Sequence, residues 1–190
     1  ILERSEHPIG PNPYSTEKQV LLQIGTAPHK NLSRVWKACT QLDCHLAIVG
    51  HETEEILSLR SKHELSHSIH RSVSDEVLEQ LYLHCDAVVF VSTHEGFGMP
   101  LIEAQVYGKP CVTSAIEPMK SNAGGGAFLV DPIDTEAICA ALKQALKKPE
   151  SNAKIIESGH VNSKRFSGVE VARQHATVYA EAVSYTHLTL

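Results

Sequence analysis

The segment from residue 87 to residue 107 constrains the fold most strongly, because it reads as a strand, a glycine-containing turn and a helix in immediate succession. Residues 87–91 are all apolar, which indicates a strand buried in a parallel sheet. Residues 100–107 start with Pro100 and stop before Gly108. These residue types are typical of the first turn of a helix and of the position just beyond its end. Open parallel sheets bind ligands at the carboxyl ends of their strands, so this turn is a candidate binding site.

Short apolar runs alternate with amphipathic segments along the rest of the chain, which predicts βαβ units and a parallel sheet. Strands are predicted at 20–24, 45–49, 68–71, 87–92, 111–114 and 127–130. Helices are predicted at 32–42, 52–59, 75–83, 100–107, 135–147, 152–163 and 169–183. Asn31 and Ser74 are placed as N-cap residues of the first and third of these helices.

The composition argues against several classes of partner. The chain has 190 residues, a formal net charge of −5 and no basic block, which argues against nucleic-acid binding. No run approaches transmembrane length and no signal peptide is visible, and the 5 scattered cysteines suit a reducing compartment. A cytoplasmic protein is expected, with a peripheral position on the inner face of the membrane as the alternative. No metal site is predicted, since His63, His67 and His70 are interpreted as surface or packing residues.

Two carboxylates, Glu95 and Glu103, flank the start of the helix that follows the predicted turn. Glu95 is placed at the carboxyl end of the strand, and Glu103 in the first helical turn, near the same mouth. Gly96 and Gly98 let the backbone approach a ligand closely, and the helix start aims unpaired N–H groups at an anion. Two carboxylates around an amide-lined anion site suit a ligand with phosphate and polyol parts, such as a nucleotide sugar.

The segment 93–104 resembles the E-x7-E signature of family four of the retaining glycosyltransferases with the GT-B fold. Other segments resemble blocks of that family in the expected order, namely 22–32 with its Gly-x4-Lys-Asn loop, 73–86, 108–114 and 126–132. The matched stretch runs from residue 20 to residue 147, with a weaker continuation to residue 182. The resemblance implies an α/β fold: a Rossmann-like parallel sheet with helices on both faces, which forms the C-terminal half of a GT-B fold.

The resemblance also implies roles for individual residues. Glu95 would contact the hydroxyls of the transferred sugar and Lys30 would neutralise the leaving diphosphate, so these two are the predicted catalytic residues. Glu103 would accept the two ribose hydroxyls. The nucleobase would be contacted largely through backbone, and the diphosphate through backbone N–H groups. The residues predicted to bind the sugar donor, besides Glu103, are Gly25, Thr26, Asn31, Val73, Gly96, Phe97, Gly98 and Met99.

Each of the charged residues also has a structural interpretation. Glu95 could instead cap the following helix. Glu103 could be a solvated carboxylate on the helix face, paired with Lys109. Lys30 could be an exposed loop lysine, although Gly25 and the following asparagine favour the functional role.

At one place the sequence departs from the most familiar family pattern. Many members carry Arg directly after the strand-ending glycine and a second basic residue before the lysine, whereas this chain has Thr26 and His29. The loss of a fixed guanidinium is expected to weaken binding of the diphosphate. This departure favours a non-catalytic nucleotide-sugar-binding module as an alternative function.

The sequence predicts three segments. Residues 1–18 are interpreted as an interdomain linker, residues 19–183 as the nucleotide-sugar-binding Rossmann-like domain, and residues 184–190 as a non-native or disordered tail that breaks the preceding helical pattern. A GT-B enzyme has two such domains around a cleft, so an N-terminal acceptor domain of the same protein is expected outside this chain. Any contact with a membrane is expected through that missing domain.

The function predicted from these residues is the donor-binding half of a retaining glycosyltransferase that moves a hexose from a nucleoside diphosphate sugar to a hydroxyl acceptor. No cofactor and no metal are implied, because the fold uses backbone amides, helix ends and basic side chains. A nucleotide-sugar epimerase of the same architecture is a further alternative, which the E-x7-E segment disfavours.

Overall fold

A computed structural model describes the backbone of residues 9–187 and the side chains of residues 9–179. In these residues, six parallel strands form one sheet in the order β3-β2-β1-β4-β5-β6. The strands are β1 (Gln19–Ile24), β2 (Cys44–Val49), β3 (His67–His70), β4 (Ala87–Phe90), β5 (Cys111–Ser114) and β6 (Phe128–Val130). Each predicted strand is therefore confirmed, with ends shifted by two residues at most.

Helices connect the strands. They are α1 (Leu32–Cys39), α2 (Glu54–Lys62), α3 (Asp75–His84), α4 (Met99–Val106), α5 (Met119–Asn122), α6 (Thr135–Ala145), α7 (Pro149–Ser163) and α8 (Gly168–His187), with short 3-10 helices at Pro28–Lys30 and Lys164–Phe166. The helix α5 and the two 3-10 helices are not predicted from the sequence, because three or four residues are too short to show a helical period. None of the helices in the described residues is long and apolar enough to cross a membrane.

The last helix extends past its predicted end. The prediction ends the helix at residue 183 and places a break at residue 184, whereas the backbone of α8 is helical through His187. The first four residues of the predicted tail therefore continue the helix. Residues 188–190 lie outside the described residues.

Helices cover both faces of the sheet, as predicted. Neighbouring residues of a strand point to opposite faces, so Leu21 belongs to one core and Leu22 to the other. The first core includes buried residues of α1, α2 and α6, such as Trp36, and the second includes residues of α3 and α4, such as Leu101. A doubly wound α/β sheet results.

The segment before β1 contains no helix or strand in residues 9–18, but it packs on α3. The Tyr14 hydroxyl donates to the carbonyl of Leu81 at 2.7 Å, and the Gly10 N–H donates to Oε1 of Gln80 at 2.8 Å. The Gly10 carbonyl lies 2.9 Å from Nε2 of His84. The described part of the predicted linker is thus anchored to the domain, while residues 1–8 lie outside it.

The strand order creates a crevice beside β1. From β1 the chain proceeds to β2 and β3 on one side, then returns to β4 on the other side. The loops that leave the carboxyl ends of β1 and β4 therefore diverge. Such a reversal point is where open α/β sheets bind their ligands.

Candidate active site

Lys30 and Glu95 meet at this crevice. Lys30 lies in the loop after β1 and Glu95 in the loop after β4, and Nζ donates to Oε1 at 2.6 Å across 65 residues of sequence. Their side chains are only 16% and 13% exposed, and Nζ also lies 4.9 Å from the ring centre of Phe90. The structure thus brings the two predicted catalytic residues into direct contact. The exposed-loop interpretation of Lys30 is wrong.

Gly25 shapes the loop that carries Lys30. Its φ of +94° is a conformation that side chains rarely adopt, and an added Cβ would lie 2.9 Å from Cε of Lys30. The Gly25 N–H donates to the carbonyl of Val49 at 2.7 Å, which ties the end of β1 to β2. A glycine is favoured here because its backbone adopts this positive φ without strain.

Asn31 occupies the N-cap position of α1 in the left-handed conformation, with φ of 60°, and its side chain makes no cap hydrogen bond. The predicted capping role is therefore wrong. Its amide group instead donates to the carbonyls of Val91 at 2.9 Å and Pro132 at 2.7 Å. The buried Asn31 side chain ties together the loops after β1, β4 and β6, which holds the neighbouring Lys30 in place.

The loop before α4 presents free backbone donors. Gly98 is the N-cap residue with φ of 93°, and an added Cβ would lie 3.3 Å from Phe90 and 3.4 Å from Met119. Within the part of the chain that the structure describes, the N–H groups of Gly96, Phe97 and Gly98 donate to no protein acceptor. Because no side chain caps α4, the alternative role of Glu95 as a cap is wrong. Free N–H groups in a loop and at a helix start are suited to binding an anion.

A network of amide side chains supports this loop from behind. Asn122 of α5 donates to the carbonyl of Phe97 at 2.8 Å, and Asn162 of α7 donates to the carbonyl of Asn122 at 2.7 Å. Asn162 also donates to Oε1 of Gln105 in α4 at 2.9 Å, and the Phe97 ring packs edge-on against Phe166. Sequence reasoning missed Asn122, since α5 is too short to be predicted.

Glu103 is the fifth residue of α4 and so lies in its second turn, not in the first turn as predicted. Its Oε2 accepts a hydrogen bond from the hydroxyl of Tyr82 at 2.6 Å. The alternative pairing with Lys109 is wrong, because Nζ of Lys109 donates to the carbonyls of Leu83 and Cys85. Burial raises the pKa of Glu103, the hydrogen bond from Tyr82 lowers it, and the charge of Asp75 raises it.

The other predicted residues lie around the same carboxyl edge. The Thr26 side chain packs against Gly50, where an added Cβ would lie 2.8 Å from Cγ2 of Thr26. Val73 is half-buried against the core on the α3 and α4 face, and Met99, the first residue of α4, is 42% exposed. Sequence reasoning did not place His29 at the carboxylate, although Nε2 lies 3.7 Å from Oε1 of Glu95.

A cleft of about 600 Å³ lies at the opposite end of the sheet, where Gln19, Asp86 and Pro110 line it. These residues stand at the amino ends of β1, β4 and β5, and none of the predicted site residues is among its lining. Parallel sheets bind ligands at their carboxyl ends, so we place the site at the crevice.

In the described residues, no group of three or more His, Cys, Asp or Glu side chains could hold a metal ion.

Solved structures share this fold. Sucrose-phosphate synthase from Thermosynechococcus elongatus superposes with a TM-score of 0.78 over 89% of this chain and 46% of that chain, at 20% sequence identity. The Anabaena protein HepE in complex with UDP-glucose superposes with a TM-score of 0.72 over 87% of this chain and 49% of that chain, at 21% identity. These similarities establish the architecture.

Sequence comparison identifies the family. The chain is 32% identical over 107 residues to O-antigen chain mannosyltransferase B of Escherichia coli, covering 56% of this chain and 28% of that protein. It is 31% identical over 126 residues to the MMP alpha-(1->4)-mannosyltransferase of Mycolicibacterium hassiacum, covering 63% of this chain and 31% of that protein. The chain thus spans about a third of the length of these relatives. Residues 7–161 match the family described as glycosyl transferases group 1, and the chain therefore belongs to that family.

Proposed function

We propose that this chain is the donor-binding half of a retaining glycosyltransferase, which transfers a hexose from a nucleoside diphosphate sugar to a hydroxyl acceptor. The observation that carries the proposal is the Lys30–Glu95 pair at the crevice, next to the free N–H groups of the loop before α4. Two relatives named as mannosyltransferases and a structural neighbour that holds UDP-glucose support it. The acceptor site belongs to a second domain of the same protein.

The Lys30–Glu95 contact suits a site in which both side chains leave each other and contact the sugar donor when it binds. Two charges that are mostly removed from solvent are stable only when each has a partner, and in this structure each is the other's partner. A bound diphosphate gives Lys30 a new anion, and the sugar hydroxyls give Glu95 new hydrogen-bond donors. Lys30 and the loop N–H groups then stabilise the charge that develops on the leaving diphosphate, in the role that a metal ion plays in other transferases.

The remaining groups bind the nucleoside and complete the reaction. Glu103 accepts hydrogen bonds from the ribose hydroxyls, and the backbone around Val73 contacts the nucleobase. The leaving diphosphate helps to deprotonate the acceptor hydroxyl on the face from which it departs, so the configuration of the sugar is retained. The protein acts in the cytoplasm, and any contact with the inner face of the membrane is made by the acceptor domain.

Paired substitutions in the longer protein that contains both domains test this assignment. Lys30→Ala should weaken binding of nucleoside diphosphate by about 1.5–3 kcal/mol and also slow transfer, because its charge meets the phosphates before and during bond cleavage. Glu95→Gln should spare diphosphate binding and slow transfer by roughly 10²–10³-fold, the range for a contact made chiefly in the transition state. Calorimetry measures the binding, and product formation measures the transfer.

Lys120→Ala is the matched control for the lysine, since Lys120 is exposed on α5 and is expected to keep both properties. Near-normal turnover of Glu95→Gln in an otherwise active enzyme would contradict the role of Glu95. A wild-type protein that binds nucleotide sugars but forms no product would favour the non-catalytic module.

A further inference from the structure

The hydroxyl of Tyr82 is fixed against the carboxylate of Glu103. Tyr82 lies on α3 with only 1% of its surface exposed, and its hydroxyl donates to Oε2 of Glu103 at 2.6 Å. The Tyr82 ring stacks on Tyr107, with ring centres 5.1 Å apart and an angle of 12° between the planes. Both the ring and the hydroxyl are therefore held, and the carboxylate position follows from them.

The contact leaves the second oxygen of Glu103 available. Among the described residues, the only hydrogen bond to the Glu103 carboxylate is the one that Oε2 accepts from Tyr82. Glu103 lies about one helical turn beyond Met99, where α4 begins after the loop at the carboxyl end of β4.

The direction of this hydrogen bond is determined by the two groups. Burial and the neighbouring Glu103 raise the pKa of Tyr82 well above its ordinary value, so the phenol keeps its proton and donates. A carboxylate that accepts such a bond has a preferred orientation and retains acceptor capacity on its other oxygen.

We propose that Tyr82 is a positioning residue for ribose recognition: by holding Oε2 of Glu103, its hydroxyl aims Oε1 at the hydroxyls of the bound nucleotide. This inference rests on the proposed function and adds a residue to it. Tyr82 itself does not touch the ligand. Its loss is expected to remove the discrimination between nucleotides with and without ribose hydroxyls, while contacts with the diphosphate remain.

The test compares one ligand pair across variants of the chain. Calorimetry with uridine, guanosine and adenosine diphosphates selects the tightest binder, which is then compared with its 2′,3′-dideoxy analogue. The wild type should prefer the ribonucleotide by roughly 10–100-fold. Tyr82→Phe should reduce this preference by about tenfold, with little change in affinity for the dideoxy analogue, which a merely structural role would not produce.

Two further variants keep the inference open to refutation. Glu103→Asp shortens the side chain, so the carboxylate cannot reach Tyr82 and the ribose together, and the preference should fall although the charge stays. Tyr14→Phe is the matched control, because Tyr14 is also buried and also donates its hydroxyl to α3, at Leu81. It should retain the wild-type preference.

The outcomes separate this inference from the proposed function. If the wild type and Tyr82→Phe share the same preference, the inference about Tyr82 is wrong, while Glu103 keeps its role. If Tyr82→Phe does not fold, the test is made with Glu103→Asp. A preference for the ribonucleotide equal to that of the wild type in this variant overturns the inference. If the wild type and Glu103→Gln both fail to discriminate, Glu103 does not bind ribose, and both the role of Glu103 and the inference about Tyr82 are wrong.

Discussion

At the residue scale, the site contains charges that fold stability alone would not favour. Lys30 and Glu95 are mostly removed from solvent and depend on each other, and Glu103 is a carboxylate whose pKa burial raises. Such groups destabilise a fold unless they are paired. Charged groups of this kind in a crevice at the reversal point of the sheet are typical of functional sites.

Glu103→Gln should raise the melting temperature of the chain at neutral pH. Because the pKa of Glu103 is higher in the folded protein than in the unfolded chain, the folded state holds this proton more tightly. The stability that depends on the proton is fully present below the unfolded pKa and is lost as the pH rises through the folded pKa. A neutral glutamine avoids that loss while its carbonyl still accepts the Tyr82 hydroxyl.

Thermal unfolding at several pH values measures this effect. The stabilisation by Glu103→Gln should shrink as the pH falls, because the wild-type carboxyl is then protonated in both states. Glu157→Gln is the control, since Glu157 is exposed in the middle of α7. A lower melting temperature for Glu103→Gln at neutral pH would show that the Tyr82 bond outweighs the burial of the charge.

At the scale of elements, the short helix α5 supports the loop before α4. Asn122, its last residue, is the side chain that holds the Phe97 carbonyl, and Met119, its first residue, packs beside Gly98. The network continues through Asn162 to α7. The orientation of the loop N–H groups therefore depends on side chains of two helices, α5 and α7, that lie outside the loop.

Asn122→Ala should loosen this loop with little effect on the core. Loss of one side-chain hydrogen bond is expected to lower the free energy of unfolding by about 0.5–1.5 kcal/mol and to weaken diphosphate binding several-fold, because the loop N–H groups lose their fixed direction. Denaturant unfolding and calorimetry measure the two quantities. Ser121→Ala, the exposed neighbour on the same helix, should change neither, and equal affinity of Asn122→Ala and wild type would exclude this support.

Much of the element pattern could be predicted because local sequence determines it. The apolar run of β4 identifies a buried strand, and Ser74 caps α3 as predicted, with its hydroxyl accepting from the Val77 N–H at 3.4 Å. Asn31 shows the limit of such reasoning. Its position at the start of α1 was predicted, but its left-handed backbone and its contacts with two distant loops depend on the tertiary fold.

The residues of the candidate site show the same contrast between what the local sequence determines and what the tertiary fold determines. The motif identifies Lys30, Glu95 and Glu103 one by one, because each stands in a recognisable local sequence. The partners of these residues could not be predicted, since the Lys30–Glu95 contact spans 65 residues and Tyr82 reaches Glu103 from a different helix. Contacts of this kind arise only when the strand order brings separate loops and helices together.

At the scale of the whole molecule, the chain corresponds to only part of its relatives. It covers 28% of the length of one mannosyltransferase relative and 31% of another, and about half of the structural neighbours. The crevice at β1 and β4 holds groups suited to a diphosphate and a sugar. Nothing in the proposed chemistry of these groups would hold an acceptor hydroxyl against the sugar, which is the task assigned to the second domain.

We therefore expect the 190-residue chain to bind a nucleoside diphosphate weakly and to transfer no sugar at a useful rate. Holding two reactants in place contributes effective concentrations of roughly 10⁵–10⁸ M to an enzymatic reaction, and this contribution is absent when only one reactant is held. Calorimetry with nucleoside diphosphates shows that the site is formed, and a product assay with the matching nucleotide sugars and simple alcohols measures transfer and hydrolysis. A longer protein that adds the proposed second domain to this chain serves as the positive control, since it would share the crevice and supply the acceptor site. Robust transfer by the 190-residue chain would mean that its own residues position the acceptor, and the division of labour between two domains would be wrong.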